Sequence, residues 1–337
     1  MKPMTLAEIA RLADVSRTTA SYVINGKAKE HRISRETVAR VMAIVEQHNY
    51  RVDSHAAALR RGASRTLGFI LPDLENASYA LLAKLLEHGA RQAGYQLLIV
   101  GSGDDPATER ELALALKARR CDALIVASSL AATDSDFYSR LMAEGLPVIA
   151  VDRTLDPSRF VCVISDNESA GELLARSVLD ETTRSIAWFD AVPALSISVS
   201  RRAGFRRAVQ GRVAQVLERS GAHYDRESGA ALMRALIAEQ GLPDALITSS
   251  YTLLEGVLDV LLDQPDGLPL SLRVATFGDN RLLDFLPLRI NSLPQQHRRI
   301  AELTLKRALD AVAGCYQPGC DVVERTLKRR EALPVSA

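Results

Sequence analysis

The sequence predicts a small all-α head followed by a larger α/β body built on parallel sheets. Two observations predict this. The first fifty residues read as three short, capped helices, and everything after residue 66 alternates apolar strand-like runs with amphipathic helical stretches. Charge divides the chain at the same place. Residues 1–65 carry twelve Lys or Arg against six Asp or Glu, a net +6, and the rest carries thirty against thirty-five, a net −5. The overall charge of +1 is therefore a cancellation. A compact basic head on a mildly acidic body is the distribution expected of a polyanion-binding module joined to a domain with another partner.

Composition sets the outer limits. With 47% hydrophobic and 25% charged residues, the 337-residue chain is neither collagen-like, disordered nor a disulfide scaffold. Its length suggests two or three domains. No apolar run approaches the roughly 20 residues of a membrane-spanning helix. The first residues lack a signal-peptide core, so a cytoplasmic protein without membrane contact is expected. Cys121 and Cys162 lie in or beside apolar runs and read as small buried hydrophobes. Cys315 and Cys320 form a lone C-x4-C with no nearby His, which is too little for zinc. Neither a metal nor a cofactor is expected.

In the head, Thr5 and Glu8 form a capping box ahead of a helix whose apolar stripe is Leu6, Ile9, Ala10 and Ala13. Ser16 caps a second helix reaching about Ile24, and Asn25-Gly26 stops it. Ser34 caps a third helix with Val38, Val41, Met42 and Val45 on its buried side. Two short helices joined by a three-residue turn match a helix-turn-helix. The second helix suits a DNA major groove because its first turn is polar, while Ala20, Val23 and Ile24 face inward. Arg17 is placed to donate twice to a guanine, with Thr18 and Tyr22 as further base contacts. Ser16, Thr19, Ser21 and Asn25 suit phosphates, which fix register without reading sequence. Thr5 and Ser34, at their helix starts, complete the candidate DNA-contacting set in the head.

The run Thr5-Leu6-x-x-Ile9-Ala10-x-x-Ala13-x-Val15-Ser16, followed by Thr19-x-Ser21-x-Val23-Ile24-Asn25 and ending at His48-Asn49-Tyr50, closely resembles the headpiece of LacI/GalR-family regulators. The segment from Ser16 through Ala28 resembles the family's fructose-responsive branch in particular. The resemblance extends over essentially the whole chain. It implies a lambda-repressor-like headpiece at 1–50, a hinge at 51–65 and a periplasmic-binding-protein-like core of two interwoven subdomains at 66–337.

Residues 51–65 can form a short helix capped by Asp53 or Ser54 and stopped by Gly62. Under three turns long, it is marginal alone and suited to folding on DNA. The resemblance implies that Leu59, flanked by Arg60 and Arg61, wedges into the minor groove. The family usually has Pro where this chain has Val52.

In the body, strands are expected at 67–71, 96–100, 123–127 and 148–151, then at 186–189, 213–217, 245–248 and 274–277. Helices are expected at 78–93, 108–119, 168–179, 198–209, 228–239 and 252–262. Such alternation predicts parallel sheets covered on both faces, with a ligand cleft at the carboxyl ends of the strands. Polar residues just after strands are the candidates for it: Asp73, Asn76 and Tyr79; Ser128; Asp152 and Arg153; Ser250; and Asp279. Arg201, opening a helix, and Gln295 join them. Carboxylates such as Asp152 and Asp279 suit sugar hydroxyls, and the planar forks of Arg153 and Arg201 suit a phosphate. The resemblance places Asp152, Arg201, Asp279 and Gln295 at family effector positions and makes Arg153 the extra cation of the fructose-responsive branch. Ser250 stands where many relatives have Asn.

An enzyme is disfavoured. Gly101-x-Gly103 lacks the third glycine of a dinucleotide fingerprint, and no phosphate-binding loop, nucleophile elbow or metal cluster appears. The resemblance implies a homodimer on a palindromic operator, released by a phosphorylated sugar: fructose 1-phosphate first, fructose 1,6-bisphosphate second. A regulator answering to an unphosphorylated sugar is the alternative; a sugar-processing enzyme or free sugar-binding protein is more remote. The tail from Glu324 lacks the sustained heptads of a tetramerising coiled coil, which favours a dimer over a higher oligomer.

Overall fold

The computed structural model describes residues 4–48, 50, 63–130, 134, 136–265 and 267–330. The chain divides into two compact units, Met1–Arg65 and Thr66–Ala337. The expected hinge helix and Leu59 lie outside the described residues, as does Val52.

In the first unit, α1 (Leu6–Leu12), α2 (Arg17–Ile24) and α3 (Arg35–Gln47) form where the caps place them. Thr5 and Glu8 make the reciprocal capping box. Ser16 accepts from the Thr19 amide at 3.0 Å, and Ser34 accepts from the Thr37 amide at 3.2 Å. After Asn25, Gly26 takes φ 73°, the left-handed turn that lets the chain leave α2. Ile9, Ala13, Val23 and Val41 form the buried centre.

The second unit holds two all-parallel sheets. The first has the order β11-β5-β4-β3-β1-β2, from β1 (Thr66–Leu71), β2 (Gln96–Gly101), β3 (Ala123–Val126), β4 (Val148–Val151), β5 (Val161–Ser165) and β11 (Gly319–Val323). The second has the order β10-β9-β8-β6-β7, from β6 (Ser185–Ala191), β7 (Gln215–Gly221), β8 (Ala245–Thr248), β9 (Arg273–Phe277) and β10 (Ile290–Leu293). Helices α4 (Ala77–Gln92) and α11 (His297–Val312) cover one face of the first sheet, and α5 (Pro106–Ala118) and α6 (Asp136–Ala143) the other. The second sheet lies between α7 (Asn167–Arg176) with α8 (Ser196–Val209) and α9 (Arg226–Gln240) with α10 (Tyr251–Leu262). Both faces of each sheet are therefore buried, which is why the strands read as continuous apolar runs.

Three segments cross between the sheets: one after β5, one between β10 and α11, and one after β11, where Lys328 bridges to Ser292 of β10. Gln295 lies in the second crossing and Arg325 in the third. Close helix packing fixes α8 in place. Gly171 of α7 lies against the Arg201 carbonyl and Gly204 of α8 against the Glu168 carbonyl, so a Cβ at either position would collide with backbone.

One expectation is corrected and five elements were missed. The strand expected at 213–217 is β7 at Gln215–Gly221, because Val213 packs into the core beneath α8 before the edge strand begins. Strands β5, β10 and β11 and helices α6 and α11 were not anticipated. Half of β10 is polar (Asn291 and Ser292, both buried), and the N-cap of α11, Gln296, makes no side-chain capping bond, so neither carried the usual signal.

Candidate ligand cleft and nucleic-acid interface

In the head, α2 presents Arg17 and Thr18 as exposed side chains on its first turn. Ser16 and Thr19 bond each other at 2.8 Å, and Asn25 donates to the Ser21 carbonyl at 2.7 Å. Thr5 and Ser34 are likewise engaged in their own caps. The hydroxyls of Thr5, Ser16, Thr19 and Ser34 and the Asn25 amide are thus part of the helix ends, whereas Arg17 and Thr18 stand out from the surface. Tyr22 stacks on His31, with ring centroids 3.5 Å apart and planes 10° from parallel. Sequence reading missed that loop residue, which holds Tyr22 beside the exposed turn.

In the body, a cavity of about 500 Å³ opens at the carboxyl ends of both sheets, a size typical of small-ligand sites. Asp73, Asn76, Tyr79, Asp152, Arg153, Arg201, Ser250, Asp279 and Gln295 all line it. Ser128 does not. Its hydroxyl donates to the buried Glu109 at 2.6 Å and accepts from the Leu130 amide, so it fastens a loop instead of facing a ligand. The neighbouring Ser129 is the one that reaches the cleft arginine, bonding Arg153 at 3.0 Å.

Asp152 is the hub. It accepts from the Tyr79 hydroxyl and from the Gln295 amide, both at 2.7 Å. Burial works to raise its pKa, but the Arg201 charge and these two hydrogen bonds outweigh it and hold the carboxyl below its usual range. Gln295 in turn accepts from Ser78 at 3.0 Å, and Ser78 contacts His297 Nε2 at 2.7 Å. Burial pushes the Tyr79 phenol well above its ordinary value, so it stays a donor.

Two cationic stations result. At one, Arg153 forms an ion pair with Asp104. Burial opposes its charge, yet Tyr79, Asp104 and Asp152 around it push the pKa up. At the other, Arg201 donates to Asn167 at 2.9 Å and to the Ser249 carbonyl at 2.7 Å, with its guanidinium 4.4 Å over the Phe277 ring. Arg325 stands 5.4 Å over the same ring and donates to the Leu293 carbonyl at 3.2 Å. Burial, then the nearby Arg201, lowers the Arg325 pKa to about 9.

Other wall residues are partly committed to the fold. Asp73 accepts from the Glu75 amide, Asn76 caps α4 and Ser250 caps α10. Asp279 accepts from Ser292 at 2.8 Å and from Arg330 at 2.5 Å. Sequence reading missed Asp104, Phe277, Arg325 and His297 among the lining residues. Asp104 had a signal, being polar and directly after an expected strand. Arg325 had none, because the strand before it was not recognised.

Among the described residues no cluster of His, Cys, Asp or Glu could hold a metal ion, and no helix is long and apolar enough to cross a membrane. Cys121 and Cys162 are buried.

A helix-turn-helix head and a two-sheet core with a polar, arginine-bearing cleft define a ligand-responsive DNA-binding regulator. Residues 5–53 match the model of bacterial regulatory proteins of the lacI family, and residues 64–269 match that of periplasmic binding proteins and the sugar binding domain of the LacI family. The chain belongs to the LacI family and is a sugar-responsive transcription regulator.

Within the family it is similar to the fructose operon regulatory protein of Vibrio cholerae, 54% identical over 97% of this chain and 100% of that one. It is also similar to the catabolite repressor/activator of Escherichia coli K12, 43% identical over 98% of this chain and 99% of that one. The crystal structure of the Cra transcriptional dual regulator from Pseudomonas putida, in complex with fructose 1-phosphate, is 52% identical with a TM-score of 0.76, covering 79% of this chain and 99% of that one. The lac repressor dimer bound to operator and an anti-inducer shares the fold over 98% of this chain and 99% of its own, with a TM-score of 0.85 at 20% identity.

Proposed function

We propose that this regulator binds a palindromic operator as a homodimer and leaves it when fructose 1-phosphate enters the cleft. The observation that carries the reading is the cleft itself, where three arginines stand beside carboxylates suited to sugar hydroxyls. The fructose 1-phosphate complex of a 52% identical relative supports the same ligand. Fructose 1,6-bisphosphate is the second candidate. The protein acts in the cytoplasm and catalyses no reaction; its relatives are transcription regulators.

In this account Arg17, Thr18 and Tyr22 read bases, while Ser16, Thr19, Ser21, Asn25, Thr5 and Ser34 position the head on phosphates. Residues 51–65 form the hinge, with Leu59 as its minor-groove wedge. Ligand draws the two sheets of the core together around Asp152, Arg153, Arg201 and Asp279. That closure disfavours pairing of the hinges and so loosens the DNA. Coupling is reciprocal, so the operator-bound form binds the effector less well by the same factor.

The test is calorimetric titration of the full chain with sugar phosphates and their free sugars. The expected result is tight binding of fructose 1-phosphate and weak binding of fructose. Tight binding of an unphosphorylated sugar alone overturns the phosphate assignment.

A further inference from the structure

In the head, the connection from α2 to α3 is a folded loop that begins on Tyr22. The Lys27 amide donates to the Tyr22 carbonyl at 2.8 Å. The His31 amide donates to the Lys27 carbonyl at 3.2 Å, and the Ile33 amide to the Ala28 carbonyl at 2.9 Å. Ala28 and Ile33 pack against the core of the head, so the loop is pinned on both sides of His31. Between them Arg32 takes φ 52°, a left-handed bend in which Arg is uncommon. Such a bend persists only where its surroundings hold it.

This loop lays the His31 ring flat on Tyr22, with ring centroids 3.5 Å apart. Tyr22 stands four residues after Thr18 and hence on the same face of α2 as that exposed side chain. His31 is exposed and Tyr22 half-buried. The Tyr22 hydroxyl has no hydrogen-bond partner among the described residues. A phenol on an exposed helix face otherwise samples several rotamers, and fixing one of them on binding costs affinity. The stack restricts the ring before DNA arrives.

We propose that His31 is a positioning residue for base reading: its ring holds the Tyr22 phenol in one orientation, so a residue outside α2 sets part of the operator's sequence. The proposal rests on the reading of α2 as the base-contacting helix. The competing role for His31 is one more cation for the phosphate backbone, beside Lys27, Lys29 and Arg32 on the same exposed loop. The two roles leave different traces. A phosphate contact acts on every DNA alike, whereas an oriented phenol acts only at the base pairs it meets.

The experiment selects an operator from a random DNA pool with the full-length wild type. Anisotropy then measures binding to that operator, to each of its single-base-pair variants and to unrelated DNA. Tyr22→Ala marks the positions that Tyr22 discriminates, and Arg17→Ala marks those of Arg17. His31→Ala is expected to lower discrimination at the Tyr22 positions by about threefold to tenfold, the worth of one pre-ordered side chain. It leaves the Arg17 positions and unrelated DNA unchanged. His31→Phe keeps a flat ring without charge and restores discrimination; His31→Lys supplies charge without a ring and does not. Should His31→Ala disturb the loop, the Phe and Lys variants carry the comparison. If the wild type enriches no sequence, the DNA-binding reading fails and the proposal falls with it. If a sequence is enriched but Tyr22→Ala discriminates as the wild type does, the DNA reading stands and the proposal is overturned. Equal losses on operator and unrelated DNA in His31→Ala, or rescue by Lys in place of Phe, also overturn it.

Discussion

Asp104 and Asp152 adopt the same unusual backbone, with φ of 59° and 64°, and their carboxylates flank Arg153 from two different loops. Both follow strands of the first sheet, β2 and β4. The left-handed region costs most L-residues roughly 1–2 kcal/mol and is tolerated best by Asp and Asn. The strain falls where a strand must turn sharply enough to aim a carboxylate into the cleft.

Asp152 therefore has a backbone role and a charge role that substitutions can separate. Asp152→Asn keeps the left-handed turn and removes the charge, so the fold should persist while effector binding falls. Asp152→Val loses both and should unfold at a lower temperature than Asp152→Asn, by about 1–2 kcal/mol of stability. Thermal melts with effector titrations check this, and equal stability of the two variants would count against a strained turn.

The Asp104–Arg153 pair predicts a switch in specificity. Asp104→Asn frees Arg153 for a second phosphate. Fructose 1,6-bisphosphate should then gain affinity relative to fructose 1-phosphate by about tenfold, the worth of one charge-assisted contact. Parallel calorimetric titrations of wild type and variant give the ratio. An unchanged ratio would mean that Asp104 does not guard that station.

His297 makes the core sensitive to mild acid. Burial, then the Arg325 charge, holds its pKa below the ordinary 6.5. The unfolded chain thus takes up this proton first as pH falls, and the native state loses stability. The contribution is complete above about 6.5 and is lost as pH falls through the folded value. Melting temperature should drop between pH 7.5 and 5.5 in wild type and drop less in His297→Gln. A constant gap between the two across that range would exclude the effect.

Arg17 stands exposed at the start of α2 and should discriminate bases. Arg17→Ala should cost the selected operator about 1–3 kcal/mol and unrelated DNA much less. Both affinities should still fall steeply with salt, since several phosphate contacts release counterions. Equal losses on both DNAs would make Arg17 a phosphate contact.

Much of this was legible in the sequence because the signals were local. Thr5, Ser16 and Ser34 mark helix starts by hydrogen bonds that span three residues, and the apolar runs of β1, β3, β4 and β8 mark strands buried on both faces. Asp73, Asn76, Tyr79, Asp152, Arg153 and Ser250 reach the cleft because they lie just after β1, β4 and β8, and Asp279 because it lies just after β9, whereas Arg201 stands in α8 and Gln295 in the crossing after β10. What was hidden depends on distance in the chain. Arg325 joins Arg201 only through a crossing segment, after a strand, β11, whose exposure alternates and whose sequence gives little pattern. Ser128 looked like Ser129 in sequence. The fold separates them by the direction of one side chain towards buried Glu109. The close approach of the Arg201 backbone to Gly171, where a Cβ would collide with the Arg201 carbonyl, is likewise a contact no spacing announces.

The central claim is that one ligand in the core controls DNA binding by the head. The direct measurement is fluorescence anisotropy of the full-length protein on a labelled palindromic DNA selected by the protein from a random pool. Fructose 1-phosphate is titrated against the complex, with fructose as the control. The account predicts that the phosphate releases the DNA in a saturable manner while fructose leaves it bound. Release by fructose alone, or no release at concentrations where fructose 1-phosphate is bound by calorimetry, would contradict it.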